Sequence, residues 1–184
     1  MKYRKLLVSE LNRLSCEEFD SAIKTPIAIV LDNIRSQYNI GSIFRTCDAL
    51  LVEKIMLCGI SATPQSAEIH KTALGAEDTM KWEYFKNTAD AVNQLKRDNY
   101  VLVAIEQAES SIMLNDFAIR SNCKYALVFG NEVKGIQQEV VNLCDFCVEI
   151  PQFGTKHSLN IAVSAGIALW DFFCKLKEPS SDGK

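Results

Sequence analysis

Three short stretches of this 184-residue chain combine residue types that could bind a polar ligand and stabilise a developing charge. They are residues 39–45 (NIGSIFR), 130–135 (GNEVKG) and 150–160 (IPQFGTKHSLN). Glycine allows backbone N–H groups to approach a ligand closely, and arginine pairs with phosphate or another anion. Together they are suited to a polar cofactor and an RNA strand.

The first stretch also has an ordinary structural interpretation. Asn39 is predicted to cap a helix over residues 39–51, and Arg45 taken alone is typical of a surface ion pair. If Asn39 caps this helix, Arg45 lies roughly 600° further round it, off to one side and nearly two turns in. Its long side chain could still reach the loop region, so both interpretations stay open.

Several common active sites are excluded by what the neighbouring positions lack. Residues 130–135 have the glycine spacing of a phosphate-binding P-loop, but Ile136 and Gln137 stand where Lys and Ser/Thr are needed. No Gly-x-Gly-x-x-Gly follows the first predicted strand, which argues against a dehydrogenase. His157 adjoins Ser158, yet the Gly-x-Ser-x-Gly turn of many serine hydrolases is missing.

The overall charge limits how the chain can meet a nucleic acid. The net charge is −3 and the pI is near 5.5, so the chain as a whole does not attract a polyanion. Contact must come from local patches. The candidates are Lys2, Arg4 and Lys5 near the amino terminus, and Arg35 with Arg45.

The seven cysteines are scattered through apolar segments of a chain with no export signal and no long apolar run. They are therefore predicted to be reduced, and the protein to be cytoplasmic with no membrane span. Cys144 and Cys147 have the spacing of a redox or zinc motif, but no second pair completes a four-ligand site. No metal is expected.

Signals for strands and helices alternate along the chain. Strands are predicted at residues 27–31, 54–58, 80–85, 100–105, 125–129 and 146–150, and helices at 39–51, 64–75 (from Pro64 to Gly75), 88–98 (capped by Thr88), 137–143 and 158–175. This alternation predicts an α/β fold with a mostly parallel sheet and helices on both faces. Ligands bind such sheets beyond the carboxyl ends of strands, so the loops after Leu31, Ile105, Phe129 and Ile150 are the expected site.

The ends of the chain are predicted to differ from its centre. Residues 1–25 form an amino-terminal helical extension with a capping box of Ser15 and Glu18, residues 26–176 form one domain, and residues 177–184 are a disordered tail.

The last predicted helix is rich in small residues, namely Ala162, Ser164, Ala165, Gly166 and Ala168. Such a face allows close approach by a partner helix, a threaded loop or a second subunit. Tight packing within one core explains it equally well.

The three stretches, in this order and at strand ends, resemble the motifs of the SpoU (TrmH-type) family of the SPOUT superfamily of RNA 2′-O-ribose methyltransferases. Asn39 to Arg45 with Thr46 resembles the first motif, Phe129-Gly-Asn-Glu132 with Gly135 the second, and Ile150-Pro151, Gly154 and Ser158-Leu-Asn160 the third. The resemblance covers roughly residues 26–173. Gln152 departs from it, since Met is frequent at that position.

This resemblance implies more than the residue pattern does. Family members have a carboxyl-terminal deep trefoil knot, bind S-adenosylmethionine, and form homodimers with the site near the subunit interface. By matching position, Arg45 is the expected catalytic residue, and Asn39, Glu132, Ser158 and Asn160 line the site. The expected cofactor-binding residues are Gly130, Ile150, Leu159, Asn131, Gly135 and Gly154.

The expected activity is methyl transfer to a ribose 2′-hydroxyl in tRNA or rRNA, with guanosine as the preferred target. Arg45 is expected to act as an electrostatic anchor sooner than as a base, because a guanidinium keeps its proton near neutral pH. Two alternatives stay open. One is a noncatalytic RNA-binding protein on the same scaffold, and the other is a Rossmann-like site for a small acidic nucleotide.

Overall fold

A computed structural model describes residues 3–177, which form one seven-stranded sheet with helices on both faces. The strands are β1 (Thr25–Asp32), β2 (Val52–Cys58), β3 (Trp82–Phe85), β4 (Tyr100–Ile105), β5 (Ile112–Met113), β6 (Lys124–Phe129) and β7 (Phe146–Glu149). The helices are α1 (Cys16–Ser21), α2 (Gln37–Ala49), α3 (Ala67–Ala73), α4 (Ala76–Thr79), α5 (Thr88–Arg97), α6 (Gln138–Leu143) and α7 (Ile161–Lys177), with single 3₁₀ turns at Val8–Glu10 and Leu114–Asp116.

The sheet is parallel, with the strand order β3-β2-β1-β6-β4-β7-β5. Alternate residues of β1 enter two separate cores. Leu31 packs with α2 and α7 on one face, and Val30 packs with α5 and α6 on the other. This burial on both faces confirms the predicted α/β fold and explains why β1 is a continuous apolar run.

The register of the central strands determines which loops meet. Leu31 of β1 lies opposite Phe129 of β6, and Val128 lies opposite Ala104 of β4. The residues that follow these three strands therefore emerge side by side. This is the edge of the sheet where the sequence predicted a site.

The predicted start of α2 is wrong. Ser36 is the N-cap, and its Oγ accepts a hydrogen bond from Asn39 N at 3.3 Å, so Asn39 lies within the first turn. Serine and asparagine are comparable caps, and the one that precedes the helix satisfies its free N–H groups. The side chain of Asn39 is consequently available for other contacts.

Three other helices also begin differently from the prediction. The helix after Pro64 begins later, with Ser66 as its cap, and ends at Leu74 in a left-handed conformation before Gly75. Asn87 precedes α5, and Thr88 instead donates from Oγ1 to Asp32 Oδ1 at 2.5 Å. The last helix begins at Ile161 and leaves Ser158 in a loop.

The amino-terminal segment contains the predicted capping box. Ser15 Oγ accepts from Glu18 N and Glu18 Oε2 accepts from Ser15 N, which begins α1. Lys2 and residues 178–184 lie outside the described residues, and Lys177, the first residue of the predicted tail, is the last residue of α7. Between residues 3 and 177, no helix is long and apolar enough to span a membrane.

Two helical glycines differ in the space around them, which gives a matched pair of substitutions. A Cβ on Gly41 in α2 would lie 2.4 Å from the carbonyl oxygen of Ile69 in α3, whereas one on Gly166 in α7 would have no neighbour within 4 Å. We expect Gly41→Ala to lower the free energy of unfolding by about 1–3 kcal/mol through overpacking. Gly166→Ala should raise it by about 0.5–1 kcal/mol. Urea denaturation measures both, and equal stability of the two variants would contradict the packing described.

Candidate active site

A chain of hydrogen bonds joins the three sequence stretches at the carboxyl end of the sheet. Asn160 Nδ2 donates to Asn39 Oδ1 at 3.2 Å, and Asn39 Nδ2 donates to Glu132 Oε1 at 3.3 Å. These partners are 121 and 93 positions apart in sequence, so only the fold brings them together. We call this arrangement of Asn160, Asn39 and Glu132 the Asn–Asn–Glu chain.

The Glu132 carboxylate also lies at the amino terminus of α2, where it binds the two residues that precede the helix. Its Oε2 accepts from Arg35 N and its Oε1 accepts from Ser36 N, each at 3.0 Å. The positive end of a helix dipole favours an anion at this position. Burial raises the pKa of the Glu132 carboxyl, but hydrogen bonds from Arg35, its own backbone, Ser36 and Asn39 together lower it below the ordinary value of 4.5.

Asn160 is fixed from the opposite side. Its Oδ1 accepts from Ala162 N at 2.9 Å and from Val163 N at 3.3 Å, at the start of α7. This orients the amide so that Nδ2 faces Asn39. The amino termini of α2 and α7 are therefore held together through side chains.

The glycine-rich turn between β6 and α6 is closed by its own backbone. Asn131 and Gly135 exchange two N–H···O bonds of 3.0 and 2.9 Å, and Gly135 has φ +68°. A Cβ on Gly130 would lie 2.1 Å from Ile136 N, so only glycine fits there. Asn131 Nδ2 donates to Asn33 O at 2.7 Å and ties the turn to the end of β1.

Two carboxylates that the sequence analysis did not single out bind the residues that directly follow this turn. Asp32, the buried last residue of β1, accepts from Gln137 N at 2.9 Å and from Gln137 Nε2 at 2.8 Å. Glu106, which follows β4, accepts from Ile136 N at 3.0 Å. Asp32 ends the apolar strand β1 and Glu106 directly follows β4, both at the edge where the site was predicted. Their positions at strand ends could have marked them as candidate site residues. The sequence does not show which groups they bind.

A cleft of about 710 Å³ lies beside the turn. A cleft of this size can hold a drug-sized ligand. The predicted site residues that line it are Gly130, Asn131, Glu132, Gly135, Ile150, Ser158, Leu159 and Asn160, joined by apolar Ile105 and Ile161 and by Glu106 and Gln107. Residues after β4, β6 and β7 thus form a single cavity, as the sequence predicted.

Arg45 and Gly154 do not line this cleft. Arg45 lies exposed on α2, and within residues 3–177 its guanidinium has no hydrogen-bond or ion-pair partner. Gly154 is exposed, with open space where a Cβ would stand. Asn39 is also outside the cleft lining, but it contacts Asn160, which is part of it. No cluster of three or more His, Cys, Asp or Glu side chains suited to a metal occurs in the described part of the chain.

The sequence of this chain matches the profile of a known protein family over most of its length. The profile described as the SpoU rRNA Methylase family covers residues 26–170. A 23S rRNA (guanosine-2'-O-)-methyltransferase RlmB from Neisseria meningitidis is 31% identical over 148 residues, which are 78% of this chain and 56% of that protein. This chain belongs to the SpoU methylase family.

Other relatives of this SpoU protein include enzymes named for tRNA. A tRNA (guanosine(18)-2'-O)-methyltransferase from Borreliella burgdorferi is 29% identical over 85% of this chain and 70% of that one. A solved structure of an AdoMet-bound rRNA methyltransferase from Sinorhizobium meliloti has a TM-score of 0.77 and 26% identity, and the match covers 87% of this chain and 61% of that one. The chain thus spans little more than half the length of several proteins that it resembles.

Glu132→Gln tests whether the anion at the start of α2 stabilises the folded chain. At about pH 7 we expect the variant to be less stable by about 1 kcal/mol, a modest loss because the carboxylate is partly screened by solvent. The folded pKa lies below 4.5, so the wild-type advantage is present above about pH 4.5 and is lost as the pH falls through the folded pKa.

Urea denaturation at a series of pH values measures this difference, with Glu109→Gln in an exposed loop as the control. A difference that stays constant down to about pH 3 would contradict the role assigned to the Glu132 carboxylate.

Proposed function

We propose that this SpoU protein transfers a methyl group from S-adenosylmethionine to a ribose 2′-hydroxyl of tRNA or rRNA, with guanosine as the target nucleoside. The observation that carries the proposal is the Asn–Asn–Glu chain, which joins the three motif loops beside a ligand-sized cleft. The names of the RlmB and tRNA relatives support guanosine. Together they leave the choice between the two RNAs open.

The cleft suits the proposed cofactor in size and chemistry. Ile105, Ile150 and Leu159 supply apolar surface for an adenine ring, and the closed turn at Gly130 and Gly135 supplies backbone groups. Asn131 Oδ1 accepts from Val133 N and Lys134 N and so stabilises that turn, whereas Gly154 does not line the cleft. When bound, S-adenosylmethionine supplies a methyl group made electrophilic by a positively charged sulfur.

Alignment is the main contribution proposed for the protein. Methyl transfer requires the 2′-oxygen to approach in line with the methyl carbon, and fixed geometry of this kind contributes several kcal/mol, on the order of 7–11 in favourable cases. The hydrogen bond between Asn39 and Asn160 is proposed to fix the position of α2, which would bind the RNA, relative to the cleft, which would bind the cofactor. Ser158, also in the cleft lining, is proposed to contact the cofactor or the ribose.

Arg45 is proposed to act through its charge. A guanidinium keeps its proton near neutral pH and is a poor proton acceptor there. Its exposed, unpaired state among the described residues leaves it available to an RNA phosphate. In this proposal Arg45 anchors the phosphate beside the target ribose and stabilises the developing alkoxide. The 2′-hydroxyl proton passes to a phosphate oxygen or to water.

A homodimer is proposed from the outer face of α7. Val163, Ile167 and Trp170 are 50%, 39% and 59% exposed and lie on one side of the helix at i, i+4 and i+7 spacing. Ala165 and Ala168 are buried within the chain, whereas Gly166 faces open space. The small residues of α7 therefore lie partly in the core and partly on the outer face of the helix. A second copy placed on this face would lie next to the cleft, because Ser164 lines it.

We also propose the carboxyl-terminal trefoil knot, formed by passage of the chain after β7 through the loop of residues 106–123. β6 and β7 lie on opposite sides of β4, so their connection crosses β4. Lys175 Nζ then donates to Leu114 O at 2.7 Å, and Gln107 Nε2 donates to His157 O at 2.7 Å. These contacts support a threaded arrangement. The same proposal treats residues 26–176 as the methyltransferase domain and residues 1–25 as an extension, while cytoplasmic localisation stays a prediction.

Transfer of label from S-adenosylmethionine to RNA tests both the function and the role of Arg45. We expect the wild-type protein to methylate tRNA or rRNA transcripts, and nuclease digestion with mass spectrometry to identify a 2′-O-methylguanosine. Arg45→Ala should lose on the order of a hundredfold in kcat/KM, because one charge-stabilising contact in the transition state is removed. Arg45→Lys should retain part of the activity.

Arg97→Ala on α5, on the opposite face of the sheet, is the matched control and should be fully active. Equal activity of Arg45→Lys and Arg45→Ala would remove any role for the charge. Cofactor and RNA binding without transfer would support the noncatalytic alternative.

Light scattering after gel filtration tests the dimer. The chain mass is 20.6 kDa, and we expect the wild-type protein to elute at twice this mass. Trp170→Glu should elute as a monomer because it places a charge in an apolar interface. Ile23→Glu, at a side chain that is 94% exposed elsewhere on the surface, should remain dimeric. A wild-type monomer, or a dimeric Trp170→Glu, would rule out this interface.

A further inference from the structure

Glu106 is a carboxylate in the cleft that none of the three motifs includes. It directly follows β4 and lines the same cavity as Gly130, Ile150 and Leu159. The side chain is half-buried, at the end of a strand near the centre of the sheet. Its backbone is therefore rigid, and its carboxylate has a defined position next to the proposed cofactor.

The hydrogen bonds of Glu106 occupy only part of its capacity. Oε2 accepts from Ile136 N at 3.0 Å, and Oε1 accepts from Gln107 N at 2.9 Å. A carboxylate has about four acceptor sites, so roughly one site on each oxygen is left. Within residues 3–177, no Lys, Arg or His nitrogen lies within 4.0 Å of this carboxylate.

The surrounding structure makes room for this charge. A Cβ on Gly135 would lie 2.4 Å from Glu106 Oε2, so the carboxylate rests against the turn where only glycine allows it. The next residue, Gln107, donates from Nε2 to His157 O at 2.7 Å and so holds the loop after β7. The end of β4 thus contacts both loops of the cleft. An anion without a counter-charge in a partly desolvated cavity is costly unless a ligand supplies donors.

We propose that Glu106 binds the ribose of the cofactor, with its two carboxylate oxygens accepting hydrogen bonds from the vicinal 2′- and 3′-hydroxyls of the adenosine. One free acceptor site on each oxygen matches a pair of adjacent hydroxyls, and an acidic side chain that accepts from a ribose hydroxyl is an established solution in other nucleotide sites. The inference rests on the proposed function, because it requires an adenosine-containing cofactor in this cleft.

Calorimetry with three ligands tests the inference without measuring catalysis. S-adenosylmethionine, S-adenosylhomocysteine and 5′-methylthioadenosine share the adenosine ribose, but the second lacks the sulfonium charge and the third lacks the amino acid as well. We expect Glu106→Gln to weaken binding of all three about tenfold or more, the loss typical of a charge-assisted hydrogen bond.

The variant is chosen to leave the turn intact. The amide oxygen of Gln can still accept from Ile136 N, and the N–H of the exposed residue Gln107 can bond to water instead. The melting temperature of Glu106→Gln should therefore be close to that of the wild-type protein. Glu106→Asp, which keeps the charge on a shorter side chain and so moves it away from the ligand, should bind all three ligands with intermediate affinity. Glu109→Gln, in the exposed part of the same loop, should bind like wild type.

Two results would overturn the inference. Unchanged affinity of Glu106→Gln for all three ligands would show that Glu106 only stabilises the turn. A loss confined to the two ligands that carry the amino acid would assign the carboxylate to its ammonium group instead of the ribose. Failure of the wild-type protein to bind any of the three would be a failure of the proposed function itself.

Discussion

The position of the Glu132 carboxylate determines how the loops of this site are arranged. It accepts hydrogen bonds from two backbone N–H groups at the start of α2 and from Asn39, which in turn accepts from Asn160. One anion therefore binds the two residues that lead into α2 and the first turn of that helix. Without it the N–H groups of Arg35 and Ser36 would lose their partner, and the second motif would lose its contact with Asn39.

This arrangement divides the site into two sides. In the proposed function the cofactor side is the cleft beside Gly130 and Leu159, which is held by bonds to the ends of β1 and β4. The proposed RNA side is the exposed surface of α2, where Arg45 has no partner among the described residues. Asn39 and Asn160 lie between the two sides. A protein that aligns a ribose with a methyl group benefits from such a rigid connection, because small displacements cost rate.

Much of this could be predicted from the sequence because the signals were local. The apolar run of β1 and the glycine spacing around Gly130 follow from rules that involve neighbouring residues only. The functions of Asn39, Asp32 and Glu106 could not be predicted in this way. Asn39 has the residue type of a cap, but Ser36 precedes it and takes that position. Asp32 and Glu106 bind successive backbone N–H groups of a turn far along the chain, which only the strand register reveals.

The measurement that tests the central claim most directly is a double-mutant cycle of Asn39→Ala and Asn160→Ala, read as kcat/KM for methyl transfer to RNA. If the two side chains act through their shared hydrogen bond, the double variant should lose little more activity than the more damaging single variant. Losses that multiply independently would show that the two residues act separately, and would contradict the proposal that the Asn–Asn–Glu chain aligns the site.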